Sequence, residues 1–135
     1  MALITVPGTT GTLQSHPAII ALRVPFDEPN ISKGILKCTV MANVGTPIVM
    51  EFQPEIIEVF NAGNTNDITL GTTSQQSNEI FQKGDINSGV LGFGITKKFR
   101  FTTNTELWLQ YKPTGTAPTK GFALIYLKIF PITTL

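Results

Sequence analysis

The sequence contains very little of what enzymes usually need for catalysis. Among 135 residues there is one histidine, His16, and one cysteine, Cys38. A single cysteine excludes an internal disulfide and a zinc site built from cysteines, and a single histidine leaves little for histidine-centred acid–base chemistry. We therefore expect a protein that is not an enzyme, with no catalytic residue, no cofactor and no bound metal.

Charge is also scarce. Charged residues make up 14% of the chain, against about 25% in ordinary soluble domains. Ten lysines and arginines nearly balance nine acidic residues, which leaves a net charge of +1. Nucleic acids and anionic membranes attract strongly basic surfaces, so we expect neither of them as a partner.

Long hydrophobic runs are missing as well. The longest, Phe122–Phe130, has the length of a strand and is interrupted by Lys128, whereas a membrane-spanning helix needs about 20 apolar residues. The N-terminus has neither the basic nor the apolar region of a signal peptide. These features predict synthesis and folding in a cytoplasm.

What the chain does contain is typical of β-structure. It has 19 threonines, 12 glycines and 9 prolines, residues that favour strands and turns. In the segment 106–112 apolar Leu107, Leu109 and Tyr111 alternate with polar neighbours, which is the pattern of a half-buried strand. No segment has a sustained helical stripe of apolar residues. We predict one all-β domain, a sandwich or barrel of about eight short antiparallel strands.

Local patterns refine this prediction. Strands are predicted at 18–24, 35–41, 48–52, 55–60, 67–71, 98–102, 106–112 and 122–130. The turn-forming residues of 61–66 predict a hairpin between the strands on either side. Residues 78–83 could form one or two helical turns, and the glycines of 89–94 predict a loop between strands. The last strand is apolar on both faces, so it should be central in its sheet or covered on both sides.

The first 17 residues are set apart from the domain. We divide the chain into an extended N-terminal arm, 1–17, and a β-sandwich domain, 18–135. The flexible arm contains four apolar side chains, namely Leu3, Ile4, Val6 and Leu13. The arm is either a frayed terminus or a segment that lies on a neighbouring subunit, and in the second case these four residues are interface candidates.

Aromatic residues give four more interface candidates. Trp108 lies on the polar face of its strand, where it is buried by a second layer, exposed at a protein interface, or part of a platform for carbohydrate. Phe122, Tyr126 and Phe130 follow at a spacing of four on one face of the last strand. Together they predict that the second face of the last two strands is covered, most simply by another copy of the chain.

Several turn-rich segments resemble small structural proteins of tailed bacteriophages. They are Arg23–Asn30, Phe60–Thr72, Lys83–Ile86 and Gln110–Ala117. The last is the most telling, because a strand ending in Tyr-x-x-Thr-Gly-Thr-Ala leads through a short loop to a long apolar final strand. The resemblance spans about residues 20–130.

The resemblance implies a fold and a role that composition does not. It implies a jelly-roll-like sandwich that acts as a capsid cement or decoration protein in the virion, on the capsid surface. The expected partners are the major capsid protein and other copies of the chain, in a homotrimer. The alternative is a β-sandwich module of a phage tail or fibre that binds a host carbohydrate, with Trp108 holding the sugar.

Overall fold

The computed structural model describes residues 2–5, 12–14, 19–74 and 78–130. These residues form ten strands and no helix. The strands are β1 (Ala2–Thr5), β2 (Thr12–Gln14), β3 (Ile19–Pro25), β4 (Ile35–Val40), β5 (Ile48–Glu58), β6 (Thr65–Gly71), β7 (Gly92–Phe93), β8 (Lys97–Phe101), β9 (Thr105–Thr114) and β10 (Phe122–Phe130). The prediction of an all-β domain is confirmed.

The strands make two antiparallel sheets that pack as a sandwich. The first sheet has the order β2-β1-β4-β9-β6, and the second has the order β3-β10-β5 with β7 and β8 both paired to the far edge of β5. The sheets do not close into a barrel. Of the two predicted architectures, the sandwich is therefore the one that forms.

The pairings are nested in the manner of a jelly roll. β3 pairs with β10, β4 with β9, and β5 with β8. The innermost pair is a single bridge between Leu70 of β6 and Phe81, so one strand of the usual eight is reduced to one residue. A long antiparallel hairpin wrapped into two sheets gives this order. β1 and β2 extend the edge of the first sheet beyond it.

The core lies between the inner faces of the two sheets. Leu107, Leu109 and Tyr111 are fully buried there, as their alternation predicts. β10 sits between β3 and β5 and buries its odd-numbered residues 123–129 in the core. The expectation that this strand is central in its sheet is confirmed.

The two strands predicted on either side of Pro54 are one continuous strand, β5. The carbonyl oxygen of Pro54 accepts a hydrogen bond from Gly94 N, 2.8 Å away, so its nitrogen also faces the β7–β8 edge. Pro54 falls in the gap between the β8 pairing at 48–52 and the β7 pairing at 55–56. No ladder hydrogen bond is lost there, and the proline does not interrupt the strand.

The predicted hairpin at 61–66 is wrong, because β5 and β6 lie in different sheets. The connecting residues bond instead to the loop before β10. Asn61 Oδ1 accepts hydrogen bonds from the backbone of Thr119 and Lys120, and Gly63 N donates to Thr116 O. Two loops therefore stabilise each other at one end of the sandwich, and the chain crosses between the sheets there.

The possible helix at 78–83 does not form. Ile80 and Phe81 are fully buried, and the backbone nitrogens of both donate to Leu70 O. Packing in the core and bonding to β6 hold the segment in an extended bridge. Tertiary contacts here decide the local structure.

Candidate interaction surfaces

The predicted aromatic candidates do not share one surface. Phe122, Tyr126 and Phe130 lie half-buried on the outer face of β10, in the second sheet. Trp108 lies half-buried on the outer face of β9, in the first sheet. Because the last two strands belong to opposite sheets, one subunit cannot cover both with a single flat contact. The outer faces of the last two strands therefore lie on opposite sides of the sandwich, and their covering by another copy of the chain stays a prediction.

The N-terminal candidates are placed only in part. Ile4 is fully buried in the core, beside Val40 of β4, so its side chain is occupied within the fold and is not free to anchor on another chain. Leu3 and Leu13 belong to the paired strands β1 and β2. Val6 lies outside the described residues. The boundary between arm and domain stays a prediction.

An exposed apolar surface occurs where the sequence predicts only a bending loop. It comprises Ile57 at the end of β5 and four side chains of the 89–95 loop, namely Val90, Leu91, Phe93 and Ile95. Leu91 is 62% exposed and Phe93 is 64% exposed. Single exposed apolar residues are ordinary, but five on one short loop and the end of the neighbouring strand are more than usual. We call these five residues the apolar surface.

Two glycines hold this loop directly against β5. Gly94 N donates to Pro54 O at 2.8 Å, and Gln53 Nε2 donates to Gly94 O at 3.1 Å. A Cβ atom at position 94 would lie 2.9 Å from Pro54 Cγ, and Gly92 has a φ of +107°. Gly94 therefore allows close packing on Pro54, whereas Gly92 supplies a positive φ and has open space beside it.

An ion pair fastens the longer segment that carries the loop. Lys97 Nζ lies 2.7 Å from Asp85 Oδ2, and the same oxygen accepts a hydrogen bond from Gln82 N at 2.8 Å. The Lys97 hydrogen bond, followed by the one from Gln82, holds the pKa of Asp85 below its usual value. The segment 85–97 is thus fixed at both ends, at Asp85 and at Lys97, the first residue of β8.

The apolar surface continues onto the second sheet through Tyr126. The ring centroids of Phe93 and Tyr126 are 6.0 Å apart, and Tyr126 Oη donates to Glu55 Oε1 at 2.5 Å. That hydrogen bond raises the pKa of the Tyr126 hydroxyl. A groove of about 370 Å³ begins here. Its lining residues are Ile19, Glu51, Gln53, Phe93, Tyr126 and Lys128.

The other two aromatic candidates on β10 carry cations on their rings. The Arg23 guanidinium lies 5.4 Å from the ring centre of Phe122, and Lys98 Nζ lies 4.8 Å from that of Phe130. Such contacts cover apolar rings with groups that remain hydrated. Phe122 and Phe130 are therefore less available to a partner than Phe93 and Tyr126.

The one thiol is not a reactive group. Cys38 is buried in the core, and desolvation raises its pKa to about 12. A thiol is nucleophilic only as its thiolate, so the buried side chain behaves as a small apolar residue. Among the described residues no three His, Cys, Asp or Glu side chains lie close enough together to hold a metal ion.

Comparisons with protein-family models, curated proteins and solved structures find no match to this chain. Within the described ranges, no helix long and apolar enough to span a membrane is present.

Proposed function

We propose that this chain is a structural protein of a bacteriophage virion, which binds the major capsid protein and stabilises the head as a cement protein. The observation that carries the proposal is the exposed apolar surface on an otherwise compact jelly-roll domain of low charge. The sequence resemblance to phage structural proteins supplies the biological context.

The chemistry of the surface supports binding to another protein. Exposed apolar side chains gain about 25 cal/mol for each Å² that a partner removes from water. Because two glycines and an ion pair already hold the loop, little conformational entropy is lost when a partner binds. A preorganised loop of this kind suits a permanent contact.

The low net charge agrees with the same type of partner. A chain with a net charge of +1 is not strongly attracted to nucleic acid, so shape and apolar contact must dominate its recognition. Attachment should therefore change little with salt concentration, in contrast to phosphate-mediated binding.

The fold is compatible with this role. Jelly rolls are common in viral capsid domains and also in lectins, and one fold can serve many functions. It is therefore the apolar surface, and not the topology, that favours a protein partner.

Self-association belongs to the same proposal. We place the contacts between copies on the apolar surface and the adjoining outer face of β10, and we retain the homotrimer as the expected assembly. Ile4 is buried in its own domain and so does not contribute to attachment, while the roles predicted for Leu3, Val6 and Leu13 stay predictions.

The first test is the presence of the protein in particles. Virions of the phage that encodes the chain would be purified, washed in high salt and quantified by mass spectrometry. We expect a fixed ratio of the chain to the major capsid protein, and heads assembled without it should lose their DNA at a lower temperature. Absence of the chain from intact virions would contradict the proposal.

A further inference from the structure

The outer edge of β3 is not paired with any strand in the described part of the chain. β3 (Ile19–Pro25) lies at one side of the second sheet, whose order begins β3-β10-β5, and it pairs only with β10 there. The register of the two strands is regular over all seven residues of β3. Its other side therefore presents a straight row of backbone groups to which a further strand can bond.

A hydrogen bond just beyond β3 shows which backbone groups form this row. Phe26 N donates to Gly121 O at 3.1 Å, in the same register as the pairing of β3 with β10. In an antiparallel pair, the residues whose N–H and C=O groups bond to the neighbouring strand alternate along the chain. The even-numbered residues of 20–24 therefore bond to β10. The residues whose backbone groups point to the outer edge are Ile19, Ala21 and Arg23.

β3 lacks the features that usually protect an edge strand, which are short length, several charges, a bulge or an internal proline. Its seven residues include a proline only at the last position, and Arg23 is its one charged residue. The Arg23 guanidinium lies 5.4 Å from the ring centre of Phe122, and Ile19 is 66% exposed. A long apolar edge of this kind pairs with another strand, either in a specific contact or by aggregation.

The other edges of the two sheets suit such a contact less well. β8, at the opposite side of the second sheet, carries three cations in five residues, and these would repel Arg23 of a neighbouring copy. β2 has only three residues, and Leu70 of β6 already bridges to Phe81. Among the described strands, the best partner for β3 is therefore β3 of a second copy.

One antiparallel register of β3 with itself uses every outward backbone group. When Ala21 lies opposite Ala21 of the second copy, Ile19 of each copy lies opposite Arg23 of the other. All three residues then occupy the bonded positions of the ladder, where each exchanges two hydrogen bonds with the residue opposite. On the inner side, Leu22 of the second copy lies beside Ile20, which is half-buried in the single chain. This register therefore extends both the ladder and the core.

Other registers of β3 with itself are less favourable. With Leu22 opposite Leu22, Ile19 meets Pro25, which has no N–H to donate. With Arg23 opposite Arg23, two like charges face each other. With Ile20 opposite Ile20, the backbone of Arg23 lies beyond the end of the partner strand. Hydrogen bonding and charge therefore both favour the first register.

We infer that the edge of β3 is a contact between two copies of this chain, related by a two-fold axis at Ala21. The pairing of residues 19–23 is small beside a standard interface of about 800 Å² per partner. Alone it should therefore be weak, with a dissociation constant of about 0.1–1 mM, and at micromolar concentration it leaves single domains unpaired. Copies held side by side have a higher effective concentration. On a phage head the pairing would join neighbouring trimers, a consequence that rests on the proposed function, whereas the pairing itself does not.

The first test uses the full chain with Leu91→Ser/Phe93→Ser, which removes the contact at the apolar surface and isolates the one at β3. NMR spectra would be recorded up to a concentration of about 1 mM, together with amide hydrogen exchange. We expect shift changes centred on residues 19–23, and slower exchange of the odd-numbered amides of this range as concentration rises. The even-numbered amides already bond to β10 and are the internal control. No change in shifts or exchange up to this concentration would overturn the inference.

A charge exchange at Ala21 gives the sharper measurement. In that background, Ala21→Lys and Ala21→Glu each place like charges opposite each other across the two-fold axis, so neither variant should pair with itself. An equimolar mixture places opposite charges there and should associate at least about fivefold more tightly than either variant alone. Ala21 is exposed, so the melting temperature should not change. The same substitutions at the exposed Val44 are the control and should not alter association. A mixture that associates no better than its components would overturn the inference.

The same substitution separates this inference from the proposed function. In the chain with an intact apolar surface, Ala21→Lys should leave the trimer in place and remove only the contact between trimers. Dissociation of the trimer by Ala21→Lys, with the fold intact, would show one shared contact and overturn the inference. Absence of the chain from virions would overturn the proposed function and leave the pairing of β3 in solution unaffected.

Discussion

The rings of Phe93 and Tyr126 lie with their centroids 6.0 Å apart, and this contact joins the 89–95 loop to the middle of the second sheet. One residue belongs to a two-residue edge strand and the other to the central strand of the sheet. The exposed loop is therefore continuous with a rigid sheet face. Interfaces with buried aromatic centres usually gain most of their energy from such anchors.

Self-association should depend on this loop. The double variant Leu91→Ser/Phe93→Ser removes two of its most exposed apolar side chains, so we expect the variant to be a monomer and the unmodified chain to be the proposed homotrimer. Exposed positions contribute little to folding, and the free energy of unfolding should change by less than about 0.5 kcal/mol. Analytical ultracentrifugation over a range of concentrations measures the effect.

The control for that variant is Val44→Ser. Val44 is 80% exposed in the turn between β4 and β5, away from the 89–95 loop. Val44→Ser removes an apolar area similar to that removed at Leu91, but this variant should leave the assembly intact. Equal dissociation in both variants would show that general hydrophobicity, and not the apolar surface, drives association.

Close packing of the loop on β5 can be tested separately. In Gly94→Ala the new methyl group would lie 2.9 Å from Pro54 Cγ, so the loop must move outward. We expect weaker self-association and a loss of about 1–3 kcal/mol in the free energy of unfolding. Gly89→Ala meets only Asn87 Oδ1 at 3.5 Å and should behave as the unmodified chain in both assays.

The glycine before β10 has a larger role in the fold. Gly121 has a φ of +144°, and a Cβ atom there would lie 2.3 Å from Phe60 Cδ2. Phe60 cannot easily move, because its ring packs on Tyr111 with centroids 4.7 Å apart. We expect Gly121→Ala to lower the free energy of unfolding by about 2–4 kcal/mol, from backbone strain and overpacking together.

Gly84→Ala separates these two causes. Gly84 also has a positive φ, +92°, but nothing lies within 4 Å of an added Cβ. Its cost should be only the backbone part, about 1 kcal/mol. Urea denaturation of both variants gives the comparison, and equal losses would rule out a steric contribution from Phe60.

Alkaline pH should destabilise the domain through two buried groups. Desolvation raises the pKa of Cys38 to about 12 and that of Tyr111 to about 12, while in the unfolded chain they ionise near 8.5 and 10. At a pH between the unfolded and the folded pKa of each group, the unfolded chain has released a proton that the folded chain still holds. The stabilising effect is complete at neutral pH and decreases as pH rises, by about 1.4 kcal/mol per pH unit for each group.

Denaturant unfolding at pH 7 to 11 measures this slope. Cys38→Ala should remove the part of the slope that begins near pH 9 and leave the part due to Tyr111, which begins about one pH unit higher.

The buried thiol of Cys38 should react with a thiol reagent only when the domain opens. Rapid labelling of Cys38 under native conditions would contradict its burial.

The sequence predicts the structure best where the pattern within a single strand is enough to identify its buried face. The alternation at Leu107, Leu109 and Tyr111 identifies the inner face of β9, and the doubly apolar β10 is central as expected. The prediction fails where contacts with residues distant in the chain determine the local structure. Pro54 interrupts a strand in isolation, but here its missing donor faces a gap between two partner strands.

The candidate sites were even less visible in the sequence. The glycines of 89–94 predict only a loop between strands, and the packing of Gly94 against Pro54 shows that this loop is held in place. The sequence contains the four apolar residues of this loop, but only the structure shows that they are exposed.

The most direct test of the account is the occupancy of phage heads. Heads of the phage that we propose encodes this chain, assembled without it, would be incubated with the unmodified protein, with Leu91→Ser/Phe93→Ser and with Val44→Ser. Mass spectrometry would then give the copies bound per head. We predict saturating binding of the unmodified protein and Val44→Ser, with at least tenfold fewer copies of the double variant. Equal occupancy by all three proteins, or no binding of the unmodified protein, would contradict the proposed role of the apolar surface in attachment to the head.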